Sequence, residues 1–222
     1  MQKLKIALAV ASLAAASFTA QAGVVRSAVG GTINSGGPGF GTLVETYNQA
    51  GLSAGYTDGV TDFDSYIASN PLHTTGFGGF EWFSNQGSTS ASVTYDLGAS
   101  YNLNAIAVWV EESSGFGSLD LLGSTDGVNF FNLSLGINPI DHPVVDYPAQ
   151  VFGFGATALR YVRMDMSNCP QPNPAGFQAC AIGEVAFRDA GNDNRVPEPA
   201  GLALAALGLL AGGALGRRRA PR

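Results

Sequence analysis

Positive charge is what this 222-residue chain has least of: its 11 lysines and arginines leave none between Ser27 and Leu159. Lys3, Lys5, Arg217, Arg218, Arg219 and Arg222 sit at the two ends, so residues 23–195 keep five arginines against 16 acidic residues, a net charge of −11. Such a surface repels nucleic acid and offers a phosphate no cationic clamp, which disfavours both and leaves neutral ligands and divalent cations. Histidine is scarce too, with His73 and His142 alone to serve as bases. There is no His-Glu-x-x-His and no glycine-rich phosphate loop, so no enzyme is predicted. Glu111 and Glu112 make a poor glycosidase pair, because adjacent strand residues point to opposite faces and do not flank one bond. Cysteine is limited to Cys169 and Cys180. With no further cysteine or histidine nearby they suit a disulfide rather than a metal, and closing a loop of this size contributes about 3 kcal/mol.

Long apolar runs are confined to the ends. Lys3 and Lys5, the apolar stretch Ile6 to Ala16 and the small-x-small site Ala20-Gln21-Ala22 predict a signal peptide over 1–22, cut before Gly23. At the other end Val196-Pro197-Glu198-Pro199 precedes an apolar run from Ala200 to Gly216 and the basic end Arg217-Arg218-Arg219. Those 17 residues reach roughly 25 Å as a helix, against a hydrocarbon core of about 30 Å, so they span a bilayer only marginally. The layout resembles the bacterial PEP-CTERM sorting signal, with Pro197, Glu198 and Pro199 as its motif. The resemblance implies an exosortase as partner, transient association with the inner membrane, and delivery to the cell surface or extracellular matrix of a Gram-negative bacterium. A permanent single-pass anchor is the alternative.

Between the ends, turn signals recur at short intervals and the intervening runs are β-branched, aromatic or alternating, which predicts an all-β sandwich with few helices. Ala91 to Tyr95 alternates before a turn at Asp96-Leu97-Gly98, and Ala105 to Val110 reads as a strand buried on both faces. Leu119 to Leu122 leads into a hairpin turn at Ser124-Thr125-Asp126-Gly127. Leu159 to Met166 alternates, sending Leu159, Tyr161, Val162 or their neighbours inward and the arginines outward. Ile182 to Phe187 is the last strand, Thr42 to Gln49 is a short helix or strand, and 189–195 reads as a linker.

Five segments in order then resemble the discoidin, or F5/8 type C, domain: Tyr56 to Thr61, Thr94 to Gly98, Ser124 to Phe130, Arg160 to Arg163 and Ile182 to Val185. The resemblance implies a galactose-binding-like jelly roll over 23–188 with binding loops at one end. It also implies a structural calcium held by Asp58, Thr61 and Glu184; Asp62 and Asp64 beside that loop are either extra ligands or, as the preferred reading, surface charge. Calcium wants six to eight oxygens, which these side chains and nearby carbonyls would largely supply.

Sugar recognition needs aromatic faces and a few hydrogen-bonding groups in a concave site. In Gly76-Phe77-Gly78-Gly79-Phe80, glycines let aromatics project, so Phe77 and Phe80, with His73 and Glu111, are the expected glycan contacts. Trp109, inside an apolar run, is assigned to the core; Trp82 is either a further loop aromatic or, as the resemblance implies, a core residue. The sequence thus predicts an exported protein that binds extracellular polysaccharide, the alternative being a structural matrix or adhesion protein with no defined ligand pocket.

Overall fold

The structure is a computed structural model, and it describes residues 23–76, 78–171 and 177–191. Two long strands organise it. β5 (Ser90–Val110) and β9 (Gln150–Ser167) run antiparallel, paired from Ser90–Ser167 to Asp96–Tyr161 and again from Tyr101–Leu159 onward. The four residues 97–100 therefore oppose Arg160 alone, and this bulge bends both strands. Asp96 holds the bend: its Oδ1 accepts from the Gly98 N–H at 2.8 Å and from Arg160 Nε at 2.8 Å, while Oδ2 accepts from Arg160 Nη2 at 2.9 Å. Gly98 sits at φ +77°, a left-handed conformation that glycine adopts without a Cβ penalty. The turn expected at 96–98 is thus a bulge inside one 21-residue strand.

Past the bend the same two strands enter a second layer, which makes the expected β-sandwich. One layer is β2 (Gly30–Ser35), the first half of β5, the second half of β9, β6 (Ser118–Ser124) and β7 (Phe131–Ile137). The other is β1 (Val24–Arg26), β10 (Ala181–Asp189), the second half of β5 and the first half of β9, with β4 (Trp82–Phe83) at the start of β10. A minor pair, β3 (Leu72–His73) with β8 (Tyr147–Pro148), lies apart. Every pairing is antiparallel among the described residues.

Alternation decides what faces inward. Val93, Tyr95, Leu121, Val162 and Met164 of one layer meet Ile106, Val108, Val185 and Phe187 of the other, with Trp82, in one buried cluster. Ala107, Trp109 and Ala186 face the opposite way and pack under Val25, Phe63, Tyr66 and Tyr147. The second half of β5 is thus covered on both faces, which is why Ala105 to Val110 is apolar without interruption. Both tryptophans are fully buried and spend their N–H groups on backbone carbonyls, Trp82 on Pro38 and Trp109 on Pro71, each at 2.9 Å.

Several elements depart from the sequence expectation. β1 and β2 are additional strands, ahead of the first segment that the sequence pattern marks. The α-helix Phe63–Ala68 supplies the lid over Trp109, and Asp62, taken for surface charge, is its N-cap, accepting from the Ser65 N–H at 2.7 Å. Thr42 to Gln49 contributes a 3-10 helix, Leu43–Thr46. β10 continues to Asp189 and the Ala190 N–H bonds to Asn102, so the first residues of the expected linker belong to the sandwich. Cys169 and Cys180 form the expected disulfide. The signal peptide over 1–22 and the sorting segment over 196–222 lie outside the described residues, among which no helix is long and apolar enough to cross a membrane.

Candidate glycan groove and a buried acidic cluster

The outward face of the first layer carries an open groove of about 530 Å³. Because side chains alternate, Thr32 and Asn34 of β2, Thr94 and Asp96 of β5, and Tyr161 and Arg163 of β9 share this face, and Gly127, Val128 and Phe130 of the β6–β7 hairpin wall one side. The hairpin turn is set by Asp126, whose carboxylate accepts from the Val128 and Asn129 N–H groups at 2.9 and 2.8 Å. Gly127, at φ +75°, comes so near Tyr161 that an added Cβ would lie 3.2 Å from its ring.

Charge in the groove is paired. Arg160 grips Asp96 and lies 5.0 Å from the centre of the Tyr161 ring; Arg163 stacks 4.8 Å over Phe130 and reaches Asp165 at 3.1 Å. Arg160, with the Gly98 N–H, holds the Asp96 carboxyl below its usual range. Two arginines balance two aspartates, so the groove is polar and aromatic but electrically near neutral. Asn34 donates to Ser92 and Thr94 at 3.0 and 2.9 Å, and Arg163 Nε is buried with no partner. Sequence reading missed these residues, and in particular sent Tyr161 inward. The usable signal was that positions 92, 94 and 96 share one face with 161, 163 and 165, which needs the register of β5 on β9.

The expected glycan contacts are not assembled into a surface site. His73 is fully buried, with its Nδ1 3.0 Å from the Thr74 carbonyl oxygen, and Glu111 is 2% exposed. A ligand at the surface does not reach either, because β3 carries His73 beneath Gly51 and Glu111 turns inward to cap the loop after β5. Phe80 is half-buried beside Gly76, and Phe77 lies outside the described residues.

Glu111 instead belongs to an interior cluster. Glu81, just before β4, and Glu111 and Glu112, just after β5, each place a carboxylate oxygen within 4.8 Å of the others. The expectation that Glu111 and Glu112 point apart fails because both stand past the end of the strand, where the chain turns and side chains no longer alternate. Burial pushes the Glu111 carboxyl up; burial and then the charge of Glu111 push Glu112 up to about 8. The Tyr147 hydroxyl donates to Glu81 at 2.6 Å, and burial raises that phenol well above its usual value. A glutamate inside Phe80-Glu81-Trp82-Phe83, and two at the end of Val108-Trp109-Val110, were the visible signals.

The residues implied for calcium have partners of their own. Asp58 accepts from the Ser27 N–H at 2.9 Å and faces the Arg26 guanidinium at 3.5 Å, so the cation beside it is an arginine. Thr61 Oγ1 accepts from the Thr57 N–H at 2.8 Å. Glu184 is buried, accepts from the Gln49 N–H at 2.9 Å, and is raised well above the ordinary carboxylate value by burial. Asp58 and Thr61 are thus engaged by protein donors, whereas Glu184 keeps its Oε1 buried with no partner.

No family model matches the chain, and no curated protein matches it. Solved structures similar to it include chitosan-binding module 1 of a chitosanase/glucanase from Paenibacillus sp. IK-5, 17% identical over 73% of this chain and 95% of that one, with a TM-score of 0.46. Another is the family 32 carbohydrate-binding module of Clostridium perfringens NanJ in complex with galactose, 10% identical over 49% and 75%, with a TM-score of 0.40. A third is the family 32 module of AlyQ in complex with 4,5-unsaturated mannuronic acid, 15% identical over 73% and 96%, with a TM-score of 0.44.

Proposed function

We propose that this protein is exported, sorted to the cell surface or extracellular matrix through its C-terminal segment by an exosortase, and there binds neutral extracellular glycan in the groove over β2, β5 and β9. The observation that carries the binding reading is the groove itself, where the Tyr161 ring and the Arg163–Phe130 stack stand beside the polar side chains of Asn34, Thr94 and Asp96. Stacking against the apolar face of a pyranose and hydrogen bonds to its hydroxyls are what such a surface supplies. Both arginines are already neutralised, so an acidic polymer gains little there. Export and sorting rest on the terminal sequence patterns.

Affinity electrophoresis against neutral and acidic polysaccharides tests the reading. Retardation by a neutral glycan is expected, little changed by salt and weakened roughly tenfold by Tyr161→Ala: losing about 60 Å² of ring contact at roughly 25 cal/mol per Å² is about 1.5 kcal/mol. No retardation by any neutral glycan, or binding that vanishes in moderate salt, would leave the structural matrix protein as the better reading.

A further inference from the structure

Glu81, Glu111 and Glu112 are 0%, 2% and 3% exposed, and three carboxyl groups so placed need compensation. Protein hydrogen bonds provide part of it. Glu81 Oε1 accepts from Tyr147, and both oxygens of Glu111 accept from the following loop, Oε1 from the Ser113 hydroxyl and Oε2 from the Ser114 and Gly115 N–H groups. Glu81 Oε2 and Glu112 Oε2 are buried with no partner. No basic side chain comes to them among the described residues: Arg26 pairs with Asp58 and Asp189, Arg160 with Asp96, Arg163 with Asp165 and Arg188 with Asp64. Both lysines of the chain, Lys3 and Lys5, fall before residue 23. The nearest nitrogen of a titratable side chain is Nδ1 of the buried His73, 3.5 Å from Glu81 Oε1.

We propose that Glu81, Glu111 and Glu112 hold a divalent cation, and that this cation is calcium. Carboxylate-only sets suit hard cations, and calcium accepts irregular geometry with bidentate carboxylates, whereas magnesium keeps several waters that a cluster this buried does not admit. The two orphaned oxygens come from separate chain segments, so one ion would join the strand after Glu81 to the loop after β5. Its role is structural. The site shares no residue with Asp58, Thr61 or Glu184.

The test uses the full chain, stripped with chelator and titrated with calcium alone, by calorimetry and by thermal melting. Calcium at about 100 times its Kd raises the melting temperature by roughly 5–10 °C. Glu112→Gln and Glu81→Gln abolish the shift, whereas Asp58→Asn keeps it. In chelator Glu112→Gln melts at or above the wild type, because it removes a buried unpartnered acid; a merely structural role for Glu112 gives the opposite sign. Should either variant fail to fold, terbium on the wild-type chain serves: emission sensitised through Tyr147 and displaced by calcium is expected. The proposal is overturned by the absence of a calcium shift in the wild type, by a shift that survives both glutamine variants, by one lost in Asp58→Asn, or by a lack of sensitised terbium emission.

Discussion

Gly39→Ala is expected to destabilise the sandwich by about 2–5 kcal/mol, and the reason lies in a single close approach. Gly39 has φ +79°, and a Cβ built there would lie 1.8 Å from the carbonyl oxygen of Phe83 and 2.9 Å from its carbon. Those atoms are backbone and do not swing aside. The carbonyl accepts from the Phe40 N–H at 2.9 Å, and the Phe83 N–H returns a bond to Phe40 at 2.9 Å. Alanine therefore forces the 36–41 loop off β4, loosening both bonds and the Trp82 Nε1 bond to Pro38. A left-handed alanine costs about 1–2 kcal/mol and each bond about 0.5–1.5, while the stiffer unfolded chain returns about 0.4–1. At roughly 2–4 °C per kcal/mol for a domain of this size, the melting temperature falls by about 5–20 °C, measured by circular dichroism. Gly87→Ala is the control: Gly87 has φ +83° with nothing within 4 Å of its Cβ position, so it carries the conformational cost without the collision. If Gly39→Ala melts no lower than Gly87→Ala, the close-approach argument is wrong.

Replacing Cys169 and Cys180 together by serine is expected to lower stability by about 3 kcal/mol, read as a shifted denaturant midpoint. Asp96→Asn should flatten the acid limb of the stability curve: the folded carboxyl is held low by Arg160, so its contribution is present above the unfolded value near ~3.9 and is lost as pH falls through the folded value. The pair is part-exposed, so the effect is at most about 1 kcal/mol. Mass spectrometry of surface or matrix material should find a chain that begins near Gly23 and lacks Arg217 to Arg222; an intact tail there would indicate a permanent anchor instead.

Local pattern was enough wherever one strand explains itself. Ala105 to Val110 shows its two-sided burial in composition alone, Trp109 was placed in the core by the apolar residues beside it, and Asp126-Gly127 makes its turn from residues within the turn. What escaped depends on distant partners. The bend at 97–100 is invisible without Arg160, 60 or more residues away, because Asp96-Leu97-Gly98 by itself is an ordinary turn signal. β1 is only three residues long and β2 opens on two glycines, too little local pattern to mark a strand, and they are strands because β10 and β5 offer open edges to pair with. The groove follows the same logic: Asn34, Thr94 and Tyr161 are unremarkable singly, and only the pairing of three strands sets them side by side.

The acidic cluster shows why a polar residue in an apolar run carries more information than its neighbours. Glu81 sits in Phe80-Glu81-Trp82-Phe83 and Glu111 follows Val108-Trp109-Val110, places where burial is dictated by the flanking residues. A glutamate held there by its neighbours must meet its electrostatic cost locally. Glu111 does so with the 113–115 loop, on both oxygens, whereas Glu184 is met by the Gln49 N–H on Oε2 alone and keeps Oε1 unpartnered. Glu81 Oε2 and Glu112 Oε2 are likewise unpartnered, and these two residues share one cluster. Two carboxyl groups that each keep one oxygen without a partner, each under 4% exposed and within reach of a third, form an arrangement that either binds protons or binds a cation. These alternatives predict opposite responses to Glu112→Gln in calcium, so the choice between them turns on one substitution and one ion.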